Sequence, residues 1–129
     1  YDELLKRTDV DAIYLPLPTG LRKEWVIKAA DAGKHVLVEK PLALDLDACD
    51  RMIARARGAG VKVMVGFHMR FHGQAMEARR LLRAGELGVI EAVRSVWSNP
   101  IRLQRDLPAW RERRETGGGC LIELGVHQY

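Results

Sequence analysis

Short apolar runs alternating with helical stretches constrain this chain more than any other feature. Val10–Leu17 (VDAIYLPL) is apolar and ends among prolines. His35–Val38 (HVLV) is cut off by Glu39-Lys40-Pro41, and Val61–Gly66 (VKVMVG) closes on glycine. Runs this short, bounded by such breakers, predict buried strands. Between them lie two helical stretches. In Leu21–Ala32, Trp25, Ala29 and Ala32 fall on one face, Glu24 and Lys28 stand four apart, and Gly33 occupies a C-cap position. In the second, Asp45 or Asp47 can cap a helix in which Leu46, Cys49, Met52, Ile53 and Ala56 recur at helical spacing, stopped by Gly58 and Gly60. The order is strand, helix, strand, helix, strand. A helix in each crossover implies parallel pairing and right-handed connections. The expectation is half of a doubly wound α/β sheet.

After Phe67 the rhythm changes. His72–Ala84 predicts a helix with Ala75, Ala78 and Leu82 inward, stopped by Gly85 and Gly88. Val89–Ser98 is rich in β-branched residues and predicts a strand. Asn99–Glu115 holds two prolines and five arginines and predicts a loop; Gly117-Gly118-Gly119 follows, and Cys120–Tyr129 predicts the start of a helix. We place a domain boundary near His68, dividing the chain into 1–68 and 69–129. The chain starts at Tyr1 without methionine and reads as an internal piece of a longer protein.

Composition excludes several classes. Hydrophobic residues make up 47% and charged residues 29%, too apolar for a disordered chain. No apolar run approaches the ~20 residues of a membrane span. The 21 basic and 17 acidic residues leave a net charge of +4, scattered rather than clustered, which argues against a nucleic-acid partner. Cys49 and Cys120 are too few for a disulfide scaffold and too far apart for a zinc knuckle, so a reducing compartment is expected.

In an open parallel sheet, ligands bind outside the carboxyl ends of the strands. Strand order alone puts three segments at that edge: Pro16-Leu17-Pro18-Thr19-Gly20, Glu39-Lys40-Pro41 and Phe67-His68. Lys40 is then either a surface lysine before a strand-stopping proline or a partly desolvated donor to a reacting oxygen. A cis Lys40–Pro41 bond would aim it rigidly. Glu123 and His127 are four apart, which on a helix puts a carboxylate beside an imidazole, the arrangement of a general base. The bland alternative is a flexible glycine linker and a solvated pair. His68 and His72 are also four apart, but no third ligand lies near, and no metal site is expected. The arginines from Arg102 to Arg114, interleaved with acids, read as a solvated or inter-subunit surface. No G-x-G-x-x-G occurs, so a pyrophosphate loop is not within these residues.

Four segments carry a resemblance: VDAIYLPLPTGLRKEWVIKAADAGKHVLVEKPLAL, VMVGFHMRFHG, RAGELGVIEAVRS and GGGCLIELGVHQY. In order and spacing they resemble the glucose–fructose oxidoreductase / inositol dehydrogenase (Gfo/Idh/MocA) family. The resemblance implies the C-terminal half of a Rossmann-type parallel sheet domain, followed by the beginning of a C-terminal α/β domain with an open sheet. The glycine loop then lies upstream and most of the second sheet downstream. It also implies NAD or NADP as cofactor and hydride transfer with a sugar, polyol or related hydroxy or keto compound. The remaining implications are a cytoplasmic setting and homo-oligomers paired through the C-terminal sheet. An NAD-using hydrolase or lyase, or a non-catalytic nucleotide-binding member, are the alternatives on this scaffold. By position, Lys40 is the E-K-P lysine near the nicotinamide, and His127 is the catalytic base. Glu123 stands where the family commonly has aspartate. Pro16, Pro18 and Thr19, with Glu39, Lys40 and Pro41, are the implied cofactor contacts. Arg22 occupies a position where histidine is common, and Arg70 matches an arginine near the domain junction.

Overall fold

A computed structural model describes residues 1–96, 111 and 113–127. After a short helix α1 (Asp2–Leu5), the chain forms β1 (Ala12–Leu15), α2 (Thr19–Asp31), β2 (His35–Val38), α3 (Leu46–Gly58) and β3 (Val63–Val65). The three strands form one parallel sheet in the order β1-β2-β3. The expected alternation is therefore present, with shorter outer strands than the apolar runs suggested.

Register explains the core. Ile13, Val36 and Val63 lie side by side, as do Leu15, Val38 and Val65. These rows face the helices and, with Val26 and Ala29 of α2 and Met52 of α3, make one apolar cluster. The alternate row, Tyr14, Leu37 and Met64, points to the opposite face and stays 54, 40 and 50% exposed. Strand periodicity of two demands this division.

Both helices are punctuated as their sequences dictate. Asp45 is the cap of α3, its carboxylate accepting from the Ala48 N–H at 2.7 Å. At the C-terminus of α2, Gly33 takes a left-handed φ of 71°, so that its N–H reaches the Ala30 carbonyl and that of Lys34 the Ala29 carbonyl. Gly60 repeats the device after α3. The buried stripe of α2 is Thr19, Arg22, Val26, Ala29 and Ala30. Trp25 is displaced to the flank, beneath the Tyr1 ring and the Lys28 ammonium, while the expected Glu24–Lys28 pair forms at 2.7 Å. In α3 the inward residues are Ala48, Met52 and Ala56; Leu46 is 81% exposed because it begins the helix ahead of the sheet's edge.

Beyond β3 come a 3-10 turn at His68–Phe71 and α4 (Gly73–Arg83), close to the expected limits. Among the described residues nothing covers its expected inward face: α4 buries no residue, and Leu82 is 49% exposed. The strand expected over Val89–Ser98 is not formed across residues 89–96. Its β-branched residues stay open, Val89 at 89% and Val93 at 84% exposure. A strand needs a ladder partner, and none of the described residues supplies one. Residues 97 and 98 lie outside the described residues, as do Arg102 and Arg105. A 3-10 turn at Arg114–Thr116, α5 (Cys120–Glu123) and a final 3-10 turn at Gly125–His127 complete the description. No helix among the described residues is long and apolar enough to cross a membrane.

Candidate active site

The carboxyl end of the sheet opens into a cavity of about 270 Å³. All six residues expected from sequence to contact a cofactor line it: Pro16, Pro18, Thr19, Glu39, Lys40 and Pro41. One wall is the β1–α2 connection, the other the segment after β2. Parallel strands of equal end-point bring the two segments together, since Leu15 pairs with Val38. The Lys40–Pro41 bond is cis.

Glu39 is held at the center of this edge. Its Oε1 accepts the Tyr14 hydroxyl at 2.8 Å, and its Oε2 accepts the Lys40 backbone N–H at 3.2 Å. Gly66, at the end of β3, lies against the same carboxylate. The hydrogen bond to Glu39 raises the Tyr14 pKa above the usual phenol range, since losing that proton would set two negative charges together.

Three lining residues were not assigned a place in the cavity by sequence reasoning: Arg22, Arg111 and Gly117. Arg22 is only 4% exposed. Its Nε donates to the Leu17 carbonyl at 2.7 Å, and its Nη1 donates to the Pro41 carbonyl. Burial pushes its pKa down, while the charges of Glu39 and Tyr14 push it up. A sequence signal for Arg22 existed: it falls on the i, i+3, i+7 stripe of α2 that otherwise carries small or apolar groups. Arg111 is half-buried at the cavity, unlike the solvated surface expected for the arginine-rich segment; Arg113 and Arg114 are exposed, as expected.

The triple glycine packs closely on protein, and Gly117 also lines the cavity. Gly117 has φ 85°, and a Cβ there would lie 2.8 Å from Thr19 Cβ and 2.9 Å from Leu44 Cδ2. At Gly118 a Cβ would collide with the Arg111 carbonyl. These glycines let the turn before α5 dock on the first turn of α2.

That docking carries His127 toward the sheet edge. Its ring meets the His68 ring edge-on, with centroids 5.1 Å apart and planes at 70°. Burial pushes the His127 pKa below the ordinary histidine range; the positive charge of Lys40 pushes it further, as does His68, and Glu39 opposes them. Lys40 and His127 thus lie within electrostatic reach of one another, although His127 is not among the residues lining the cavity. The single α-helix expected to carry both Glu123 and His127 is interrupted: α5 ends at Glu123 and the chain tightens into a 3-10 turn that holds His127. The Glu123 side chain lies outside the described part of the structure.

Comparison with known proteins accords with this edge. Residues 1–67 match the model of an oxidoreductase family with an NAD-binding Rossmann fold, and residues 75–129 match a GFO/IDH/MocA C-terminal domain. A dTDP-3,4-didehydro-2,6-dideoxy-alpha-D-glucose 3-reductase of Actinomadura kijaniata is 39% identical over 98% of this chain and 37% of its own length. A 3-ketoreductase from the same organism, solved with NADP and TDP-benzene, superposes with a TM-score of 0.75 at 39% identity, over 98% of this chain and 38% of that one. An aldose-aldose oxidoreductase from Caulobacter crescentus, solved with glycerol, gives a TM-score of 0.79 at 33% identity, over 98% and 37%. The chain spans a little over a third of the length of the relatives it matches. With its first 67 residues matched, more than half of its length, the chain belongs to the Gfo/Idh/MocA oxidoreductase family.

Proposed function

We propose that the protein containing this chain is an NAD(P)-dependent oxidoreductase moving a hydride to or from a small sugar-like molecule. The observation that carries the reading is geometric: Lys40 lines the cavity at the carboxyl end of the sheet, and the 3-10 turn after α5 brings the His127 ring to 5.1 Å from that of His68, just beyond β3. The residues present fit the redox end of a dinucleotide. The cavity is ring-sized, its first wall is made of the apolar faces of Pro16 and Pro18, and its second wall carries Glu39 and Lys40. These residues would hold the nicotinamide, with Thr19 and Pro41 beside them. When bound, that ring takes up or returns the hydride.

The chain's own groups handle the oxygen. In the oxidation direction, the Lys40 ammonium donates a hydrogen bond to the substrate hydroxyl and stabilises the developing alkoxide. Neutral His127 accepts the hydroxyl proton as C=O forms. Its lowered pKa keeps it neutral near pH 7. In reduction the imidazolium returns that proton. Glu123 remains part of this reading as the residue orienting the imidazole. Residues 1–68 serve as the cofactor half and 69–129 as the start of the substrate half, so the reacting atoms sit between them. Pairing of copies through the C-terminal sheet and a cytoplasmic setting complete the reading, with neither nucleic acid nor membrane as a partner.

The test is nicotinamide absorbance with the full-length protein over a panel of sugars, polyols and keto sugars, NAD and NADP in parallel. Turnover is expected, and Lys40→Met should lower kcat by about 10²–10⁴. Wild-type kcat in that variant would remove Lys40 from the reaction. A tightly held cofactor without net reduction would move the protein to the hydrolase or lyase class, and cofactor binding without any reaction would make it a non-catalytic nucleotide-binding member.

A further inference from the structure

Arg22 is a buried cation one helical turn into α2, and its bonds span the two segments that wall the cavity. Leu17 belongs to the first wall and Pro41 to the second, and the Arg22 guanidinium donates to the backbone carbonyl of each. The need for such a donor follows from the sequence. Pro16, Pro18 and Pro41 remove three N–H groups from these two segments, so their carbonyls have few backbone donors to meet. A guanidinium, with a planar fork of five N–H donors, spans two acceptors in fixed directions; an ammonium meets them as a point charge. On the open face of the sheet, the Tyr14–Glu39 bond ties β1 itself to the segment after β2.

We propose that Arg22 is a positioning residue for Lys40. It holds the carbonyl of Pro41, the residue after the lysine, at a set distance from the β1–α2 wall, and so sets where the ammonium stands in the cavity. The inference rests on the reading of Lys40 as the group that stabilises the substrate oxygen. Arg22 itself needs no contact with the reacting atoms.

A double-mutant cycle in the full-length enzyme tests it, with kcat and thermal midpoint measured for Arg22→Ala, Lys40→Met and the pair. In the presence of Lys40, Arg22→Ala should lower kcat by about 10–100-fold, the cost of a misplaced group. In the Lys40→Met background, the same change should lower the residual kcat by less than about twofold, because the group it positions is gone. The loss of thermal midpoint should be the same in both backgrounds, which a merely structural role would mirror in kcat. Equal fold losses of kcat in both backgrounds would overturn the proposal. Should Arg22→Ala not fold, Arg22→Lys runs the same cycle and should show a smaller loss that again disappears without Lys40; persistence of that loss overturns the proposal. Wild-type turnover in Lys40→Met alone would instead sink the underlying reading of Lys40, and Arg22 with it. Wild-type kcat in Arg22→Ala beside a crippled Lys40→Met would sink only the role of Arg22.

Discussion

Residues 12–65 and residues 68–96 use the same local grammar with opposite tertiary outcomes. Both hold well-formed helices closed by a left-handed glycine: Gly33 and Gly60 in the first region, Gly85 after α4 in the second. In the first, α2 and α3 pack on the sheet and on each other, and Val26, Val38 and Met52 are fully buried. In the second, no residue is buried. Propensity and capping suffice to draw a helix; its burial needs a second surface. The contrast separates what a segment decides alone from what it decides in company.

The largest effect expected across this comparison comes from truncating two methionines. Met52→Ala removes a side chain with no exposed surface and should cost about 2–5 kcal/mol in denaturant unfolding. Met76→Ala, at a site 55% exposed on α4, should fall within about 0.5 kcal/mol of wild type. Equal costs would mean that α4 is packed as tightly as α3. Caps sharpen the same contrast at smaller scale. Asp45→Ala should cost about 1 kcal/mol, because the Ala48 N–H loses its acceptor. His72, the cap of α4, makes no side-chain cap bond, so His72→Asp should stabilise the protein by about 0.5 kcal/mol. A loss instead would show that His72 is engaged elsewhere. Where the two regions meet, the effect is a displacement along the pH axis. In its proposed role as base His127 must be neutral, so the rate falls as pH drops through its pKa, and that limb lies below the ordinary 6.5. His68→Asn removes one of the groups that lower it and should move the limb to higher pH in a kcat profile. Movement to lower pH would reverse the sign assigned to His68.

How much of this was legible depended on where each hydrogen bond ends. The helices and their stops could be read directly, since Asp45, Gly33 and Gly60 act on neighbors in sequence. The strand order followed from helical crossovers, which leave few topologies. The strand expected over Val89–Ser98 was a different matter: β-branched residues announce a tendency, but the ladder belongs to other parts of a chain. At the strand ends, Pro16, Pro18, Thr19, Glu39, Lys40 and Pro41 could be grouped from sequence because parallel register fixes which residues end together, and they line one cavity. Arg22 carried a visible signal, a cation on an apolar stripe. Arg111 carried none: its place depends on a turn that docks, through its glycines, against Thr19 and Leu44, both remote from it in sequence.

Thr19 presses against Gly117, and three residues later Arg22 grips Pro41. One short arc of α2 therefore touches both the segment that follows Lys40 and the turn that leads toward His127. A displacement of that arc would be felt at both places together.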